Sequence, residues 1–282
     1  SERMAELAER AEKNFNTFLT FLTGIKAAAH QQKWIEHLQF IGDQPDRGHK
    51  VLFIAPPGAG KSTVMSSFLA WMIGRYPTKH YGLISFSQPV ATQRSLAVRK
   101  ILQESKPYRM IFPGVKRDPT QWNKSHFRIL RDDPTDIHPT LLSAGSGGAI
   151  IGARFNGLLY DDPHDEKNVD KPWKREKVWG NYNDSLNTRV VETGWQVFIG
   201  TRWADDDFIG RLSKSGLISQ ENIVFIPAID NKGESYWPEQ YPLYPEISEK
   251  DDEGRVVKVI REASKLWSVR EKTPEVFYLQ YM

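Results

Sequence analysis

The stretch VLFIAPPGAGKSTVMSSFLAWM, residues 51–72, passes from a strand pattern through a turn into a helix pattern. Residues 51–55 form a short apolar run, which is typical of a strand buried on both faces. APPGAGKST then fits the phosphate-binding loop motif, with Ala55 where the motif has its first glycine. A chance GKST in a Pro/Gly-rich turn is the alternative, but the motif stands between a buried strand and an amphipathic helix, as phosphate binding requires. The stretch therefore predicts a nucleoside triphosphate site.

This loop offers several kinds of group to a triphosphate. Backbone N–H groups of the turn and of the helix N-terminus point at phosphate oxygens. Lys61 would bridge the β- and γ-phosphates, and the hydroxyl of Ser62 would bind Mg²⁺. The predicted nucleotide-binding residues of the loop are Pro57, Gly58, Ala59, Gly60, Lys61, Ser62 and Thr63.

A magnesium–triphosphate site also needs a carboxylate at the end of a neighbouring strand. GLLYDDPHDE, residues 157–166, supplies an apolar run that ends in two aspartates. We expect Asp161 to hold Mg²⁺ and Asp162 to orient the attacking water, with Glu166 as the second candidate for the water. The alternative for Asp162 is that it only starts a turn with the following proline.

A third apolar run, residues 195–201, ends in Thr201, and an arginine precedes the acidic strand. Thr201 could sense the γ-phosphate and transmit its loss, or it could cap the following helix, a role that suits Asp205 better. Arg154 ends a glycine-rich loop and could stabilise transition-state charge in its own or a neighbouring subunit. A plain surface arginine and a DNA phosphate contact are the alternatives for Arg154.

Strand and helix patterns alternate along most of the chain. Further strands are predicted at residues 81–87, 126–130, 140–144 and 223–228, and helices at 1–40, from Ser62 to about Tyr76, 90–105, 173–190 and 204–216. Such alternation predicts an α/β fold with a mainly parallel sheet covered by helices on both faces. After residue 230 we expect loops, a hairpin and a terminal helix, which would form a small C-terminal subdomain. The predicted division is 1–45, 46–230 and 231–282.

Composition narrows the class of protein only a little. The 282 residues are 39% hydrophobic and 26% charged, which is ordinary for a globular chain. The absence of cysteine excludes disulfides and thiolate metal sites. A net charge of +3 supports nucleic-acid binding only slightly. Because no apolar run approaches the ~20 residues of a membrane helix, we expect a soluble intracellular protein.

Several of these motifs, in order, resemble the large terminase subunit of tailed bacteriophages, and the resemblance covers nearly the whole chain. APPGAGKST looks like the family's Walker A motif, and GARFNGLLYDDP looks like the stretch that leads into its Walker B motif. VWGNYNDSLNTRV resembles the helix that follows, and FIGTRWADDDFIGRL resembles the coupling motif. AAHQQKWIEHLQ stands where the family contacts adenine, and EVFYLQYM where its ATPase domain ends. TRW together with DDP is much more specific than the loop alone.

The resemblance implies a P-loop NTPase of the additional-strand, RecA-like class that uses ATP and Mg²⁺. It implies that His30, Gln31 and Gln32 lie against the adenine. The implied activity is ATP-driven translocation of double-stranded DNA into a procapsid through the portal protein. The small terminase subunit would select the DNA, and a ring, with five subunits as the expected number, would move it. The chain would then work in the host cell cytoplasm and transiently at the portal vertex.

Three departures from the family qualify these expectations. Gly58 and Ala59 stand where the family often has an arginine, and Asp162 stands where it often has a glutamate. The family's nuclease domain has no counterpart before Met282, so we expect no DNA cleavage by this chain.

A motor that moves any sequence should contact the DNA backbone, for which Arg94, Arg99 and Lys100 on one predicted helix are candidates. A helicase-like translocase and a nucleotide-gated assembly protein with little turnover are the rival functions.

Overall fold

An eight-stranded sheet forms the centre of the computed structural model, which describes residues 2–148, 150, 152–243, 246–261 and 265–281. The two end residues of the predicted divisions, Ser1 and Met282, therefore lie outside the described part. In chain order, the strands are β1 (Lys50–Ile54), β2 (Tyr81–Ser85), β3 (Arg117–Trp122), β4 (His126–Ile129), β5 (Leu141–Gly145), β6 (Phe155–Asp161), β7 (Val190–Gly200) and β8 (Ile223–Phe225).

The spatial order of these strands is β3-β4-β5-β2-β6-β7-β1-β8. Strands β5, β2, β6, β7, β1 and β8 run parallel, and β4 and β3 form an antiparallel edge. Strand β7 lies between β1 and β6, pairing Gly200 with Ile54 and Ile199 with Asp161. The carboxyl ends of three neighbouring strands therefore meet at one edge of the sheet.

Helices cover both faces of this sheet. They are α1 (Glu2–Lys13), α2 (Phe15–Thr23), α3 (Ala29–Asp43), α4 (Lys61–Arg75), α5 (Gln88–Glu104), α6 (Lys106–Ile111), α7 (Glu166–Val169), α8 (Pro172–Asn181) and α9 (Phe208–Lys214). Beyond β8, the chain forms a hairpin of β9 (Glu246–Lys250) and β10 (Val256–Arg261), followed by α10 (Lys265–Lys272) and α11 (Pro274–Gln280). No described helix is both long and apolar enough to cross a bilayer.

Two apolar clusters hold the helices on the sheet, one on each face. Phe53 and Leu159 point into the cluster that contains α2, α3 and α4, whereas Leu52, Leu158 and Tyr160 point into the one that contains α8 and α9. Alternate side chains of a strand lie on opposite faces, so a strand that is apolar throughout serves both clusters. The predicted mainly parallel sheet with helices on both faces is thus confirmed.

Several element boundaries differ from the prediction. The helix expected at residues 1–40 is three helices, because Asn14 caps α2 by accepting from the N–H of Thr17 at 2.8 Å and Gly24 adopts a left-handed φ of 72°. Helix α8 ends at Asn181 instead of residue 190. A π-helical turn (Tyr182–Leu186) and a 3₁₀ turn (Asn187–Arg189) follow it and lead into β7, which begins at Val190 and is longer than predicted. Helix α6 and strand β3 were not predicted. Strand β3 tolerates Pro119 because it lies at the edge of the sheet.

Candidate active site

The phosphate-binding loop, residues 57–63, joins β1 to the first turn of α4. Gly58 and Gly60 have left-handed φ values of 83° and 78°, which glycine adopts without strain. A Cβ at Gly58 would also lie 3.0 Å from Cζ of Tyr241, and one at Gly60 would overlap the amide of Gln31. The backbone conformation therefore requires glycine at both positions, and a Cβ would also displace the ends of the Tyr241 and Gln31 side chains. The N–H groups of this loop and of the helix N-terminus can bind an anion.

Lys61 is the first residue of α4, and its side chain is almost fully buried. Its Nζ donates to the hydroxyl of Thr201 at 2.8 Å and to the carbonyl of Pro56 at 3.1 Å. The same nitrogen lies 3.9 Å from Oδ1 of Asp162. Lys61 thus connects its own loop with the residues that follow β7 and β6.

Thr201 directly follows β7, and its two polar groups contact both neighbouring strands. Its hydroxyl donates to the carbonyl of Ala55 at 3.1 Å, and its N–H donates to Oδ1 of Asp162 at 3.0 Å. The helix that follows is capped by Asp207, which accepts from the N–H of Gly210 at 2.7 Å. Neither Thr201 nor Asp205 caps that helix, since Asp205 is an exposed partner of Arg202 at 2.7 Å.

Asp161 ends β6 with a carboxylate that is 1% exposed. Nε of Arg94, on α5, lies 2.8 Å from Oδ2 of Asp161. The other carboxylate oxygen of Asp161, Oδ1, has no hydrogen-bond partner among the described residues. Burial, and then the charge of Asp162, raise the pKa of Asp161 to about 6. A buried carboxylate oxygen without a partner, beside a phosphate-binding loop, suits a hard cation such as Mg²⁺.

Asp162 is the one described residue other than glycine with a positive φ, 49°. Its backbone donates to the carbonyl of Ile199 and accepts from the N–H of Phe86, both at 2.9 Å. These two bonds hold the unusual conformation, which costs of order 1–3 kcal/mol. The strained turn places the Asp162 side chain beside Lys61 and Thr201 instead of continuing the strand.

A cleft of about 440 Å³ opens above these strand ends. The predicted residues that line it are the loop, residues 57–63, together with Asp162 and Thr201. Sequence reasoning did not place five further lining residues here: Phe86, Arg94, His164, Asp165 and Trp203. His164 and Asp165 directly follow the acidic strand within DDPHDE, so proximity along the chain could have indicated them.

His164 contributes a buried ring, 3% exposed, to the cleft. Asn168 accepts from the N–H of Asp165 through Oδ1 at 2.8 Å, so the Nδ1 of His164, 3.0 Å from that oxygen, must be the donor in their contact. Burial lowers the pKa of His164, which favours the neutral ring. Its Nε2 is then an acceptor, and it has no partner among the described residues.

Six predicted site residues do not line the cleft, namely Asp161, Arg154, Glu166, His30, Gln31 and Gln32. Asp161 is instead buried against Arg94. Arg154 is exposed and donates to the carbonyl of Thr188 at 2.9 Å, so a role within its own chain lacks geometric support. Glu166 is exposed at the start of α7. Gln32 accepts from Asn16 at 3.1 Å and so contacts α2. His30 is buried behind the loop, with Nε2 2.9 Å from the carbonyl of Ala59.

Gln31 has a position similar to that of His30. Its amide donates to the same carbonyl of Ala59 at 3.1 Å. Both side chains thus support the loop from outside the cleft, and adenine contact by them stays a prediction.

Arg94 is the main correction to the sequence analysis. The residue was a candidate for DNA contact, but its guanidinium lines the cleft and pairs with Asp161. Helix α5 follows β2, whose neighbour in the sheet is β6, so the first turns of α5 pass the end of the acidic strand. Pairing with a carboxylate 67 positions away leaves no local pattern in the sequence.

No protein-family model and no curated protein matches this sequence. Two solved structures of phage proteins are similar to it. One is an arginine-to-alanine mutant of the large terminase ATPase domain from Thermus phage P74-26, with 13% identity, a TM-score of 0.56, and coverage of 94% of this chain and 96% of that one. The other is the large terminase of bacteriophage HK97, with 14% identity, a TM-score of 0.50 and coverage of 73% of this chain. This chain spans 40% of the HK97 protein's length.

At this level of identity the likeness concerns the fold. It confirms the predicted P-loop NTPase fold and, at the level of the fold, the resemblance that the motifs indicated.

Proposed function

We propose that this chain, which has the fold of phage large terminase ATPase domains, is the ATP-hydrolysing motor of a DNA-packaging terminase. In this role it would drive double-stranded DNA into a procapsid through the portal protein. Its partners would be the small terminase subunit and further copies of itself in a ring, with five as the expected number. It would act in the host cell cytoplasm and transiently at the portal vertex.

The observation that carries the proposal is the convergence of Lys61, Asp162 and Thr201 within 3.9 Å of one another's polar atoms. Lys61 begins the helix that follows β1 and its loop, whereas Asp162 and Thr201 directly follow β6 and β7, and these three strands are adjacent in the sheet. Such an arrangement lets one chain hold phosphates, orient a water and detect the loss of the γ-phosphate.

Each residue has a distinct part in hydrolysis. The loop N–H groups and Lys61 bind the phosphates of ATP, and Asp162 orients the attacking water. Ser62 and Asp161 would hold Mg²⁺, which supplies neutralisation of the phosphate charge. The hydroxyl of Thr201 accepts from Nζ of Lys61 at 2.8 Å. A γ-phosphate bound by Lys61 would compete with this hydrogen bond, and its departure would restore the contact.

Arg94 takes the part of the charge-stabilising arginine within the chain. Arg94 already lines the cleft and its side chain is one-third exposed, so its guanidinium can turn from Asp161 toward a phosphate. Arg154, exposed on a loop away from the cleft, is left with the predicted action in a neighbouring subunit.

ATP turnover measured against chain concentration tests the proposal. We expect a rate per chain that rises with concentration, is stimulated by double-stranded DNA and is lost in Lys61→Ala. Lys33→Ala removes an equally charged but exposed side chain and should match the wild type. Binding of a fluorescent ATP analogue without turnover at any concentration would contradict the motor and favour an assembly protein.

A further inference from the structure

The positive charge of this chain is concentrated in one segment. Residues 94–131 hold ten Lys or Arg and two Asp or Glu, a balance of +8 in a chain whose total is +3. The rest of the chain is therefore net negative. Uneven distribution of this kind is the electrostatic footprint of a polyanion-binding surface.

The segment folds as one edge of the molecule. It runs from α5 through α6 to strands β3 and β4, which form the antiparallel edge of the sheet. Arg99 donates to the carbonyl of Trp122 at 3.0 Å, and the indole of Trp122 donates to Gln103 at 3.0 Å. These contacts fix the second half of α5 against β3, so the charges of both elements belong to one rigid unit.

Some of the ten cations have internal partners. Arg128 donates to Asp118 at 2.6 Å, Arg131 pairs with Asp136, and Arg94 pairs with Asp161 in the cleft. Six others are exposed and form no ion pair with any described residue, and we name this set the basic edge: Lys100, Lys106, Arg109, Lys116, Arg117 and Lys124.

The residues in and around the basic edge favour one kind of partner over others. Strand addition is disfavoured, because Pro119 interrupts the outer strand. The aromatic residues of the segment, Tyr108, Phe112, Trp122 and Phe127, are buried or partly buried, so single-stranded bases would find no stacking surface. Flexible exposed cations without a base-reading element suit the phosphates of a duplex.

We propose that the basic edge binds the phosphate backbone of double-stranded DNA, an inference that rests on the proposed motor function for its choice of polyanion. It assigns DNA contact to Lys100 and to five residues that sequence reasoning had not singled out. Of the other two early candidates, Arg94 belongs to the cleft and Arg99 is engaged with Trp122.

Fluorescence anisotropy with a random-sequence duplex, without nucleotide and over a range of salt concentrations, tests this proposal. The triple variant K116Q/R117Q/K124Q should reduce the slope of log K against log salt by roughly three units, about one per phosphate contact. The control K26Q/K33Q/K232Q removes three exposed lysines elsewhere and the same net charge, and it should keep the wild-type slope.

Equal slopes for the wild type and the basic-edge variant would overturn the proposal, and so would an equal reduction in the control. Stronger binding to single strands, or equal competition by polyglutamate, would also overturn it and would favour another partner. The basic-edge variant should keep the ATP turnover measured without DNA. Loss of turnover in the wild type would instead refute the motor function, so the two failures are distinguishable.

Discussion

Gly157→Ala tests the packing that sets the three strand ends side by side. Gly157 of β6 pairs with Trp195 of β7, whose indole lies over the glycine. A Cβ at residue 157 would lie 2.7 Å from Nε1 of Trp195 and closer still to two carbons of the ring. Carbon atoms normally approach to about 3.5–4.0 Å, so the indole must move by about 1 Å or more.

The indole has little room for such a movement. Trp195 is fully buried, and the rings of Phe68 and Tyr81 lie 5.4 and 5.9 Å from it, centroid to centroid. Overpacking a dense core costs about 1–3 kcal/mol, and we expect the upper end here. A loss of about 3 kcal/mol lowers the folding equilibrium constant roughly 150-fold.

Urea unfolding followed by circular dichroism measures this loss. Gly114→Ala is the matched control, because no atom lies within 4 Å of its added Cβ, and it should change stability by less than about 0.5 kcal/mol. In a Trp195→Phe background, the cost of Gly157→Ala should fall by roughly half, since the smaller ring leaves space. Equal stability of the two alanine variants would refute the packing argument.

Three further predictions concern the cleft and the buried histidines. Arg94→Ala should lower ATP turnover about 10³-fold or more and Arg154→Ala much less, and a larger loss in the second variant would return the charge-stabilising role to Arg154. Asp162→Asn should lower ATP turnover about 10²-fold or more, whereas Glu166→Gln, which alters an exposed carboxylate, should not. Wild-type turnover in Asp162→Asn would refute the role of Asp162 in orienting the attacking water. Burial lowers the pKa of five histidines, namely His30, His37, His49, His80 and His164. Protons then bind the unfolded chain more readily than the folded one, so the melting temperature should fall as the pH is lowered from about 7 to about 5. The raised pKa of the single Asp161 acts in the opposite direction over the same range, and a rise of the melting temperature would contradict the dominance of the five histidines.

Local patterns predicted the strand ends of the site because each follows a continuous apolar run. Lys61, Asp161 and Thr201 stand just beyond such runs, and a parallel sheet brings the carboxyl ends of its strands to one edge. The contact between Lys61 and Thr201 agrees with this pattern, but the carboxylate that joins them in the cleft is that of Asp162, whereas Asp161 is buried against Arg94.

Residues whose position depends on tertiary contact escaped prediction. Arg94 reaches Asp161 only because α5 packs beside the acidic strand, and no spacing records this. His30 and Gln31 contact the back of the loop, where an adenine contact was expected, because the packing of α3 fixes their direction. The positive φ of Asp162 is another such case, since bonds from Phe86 and to Ile199 hold it.

Helix α5 carries Arg94 at the cleft and Lys100 at the basic edge. Six residues of helix span about 9 Å, and a helix barely stretches along its axis. A shift that frees Arg94 from Asp161 would hence also move the DNA-facing lysine. Thermodynamic reciprocity then sets a bound: whatever factor ATP imposes on the affinity for the duplex, the duplex imposes on the affinity for ATP. DNA binding by Lys100 and ATP binding beside Arg94 would thus be coupled through helix α5.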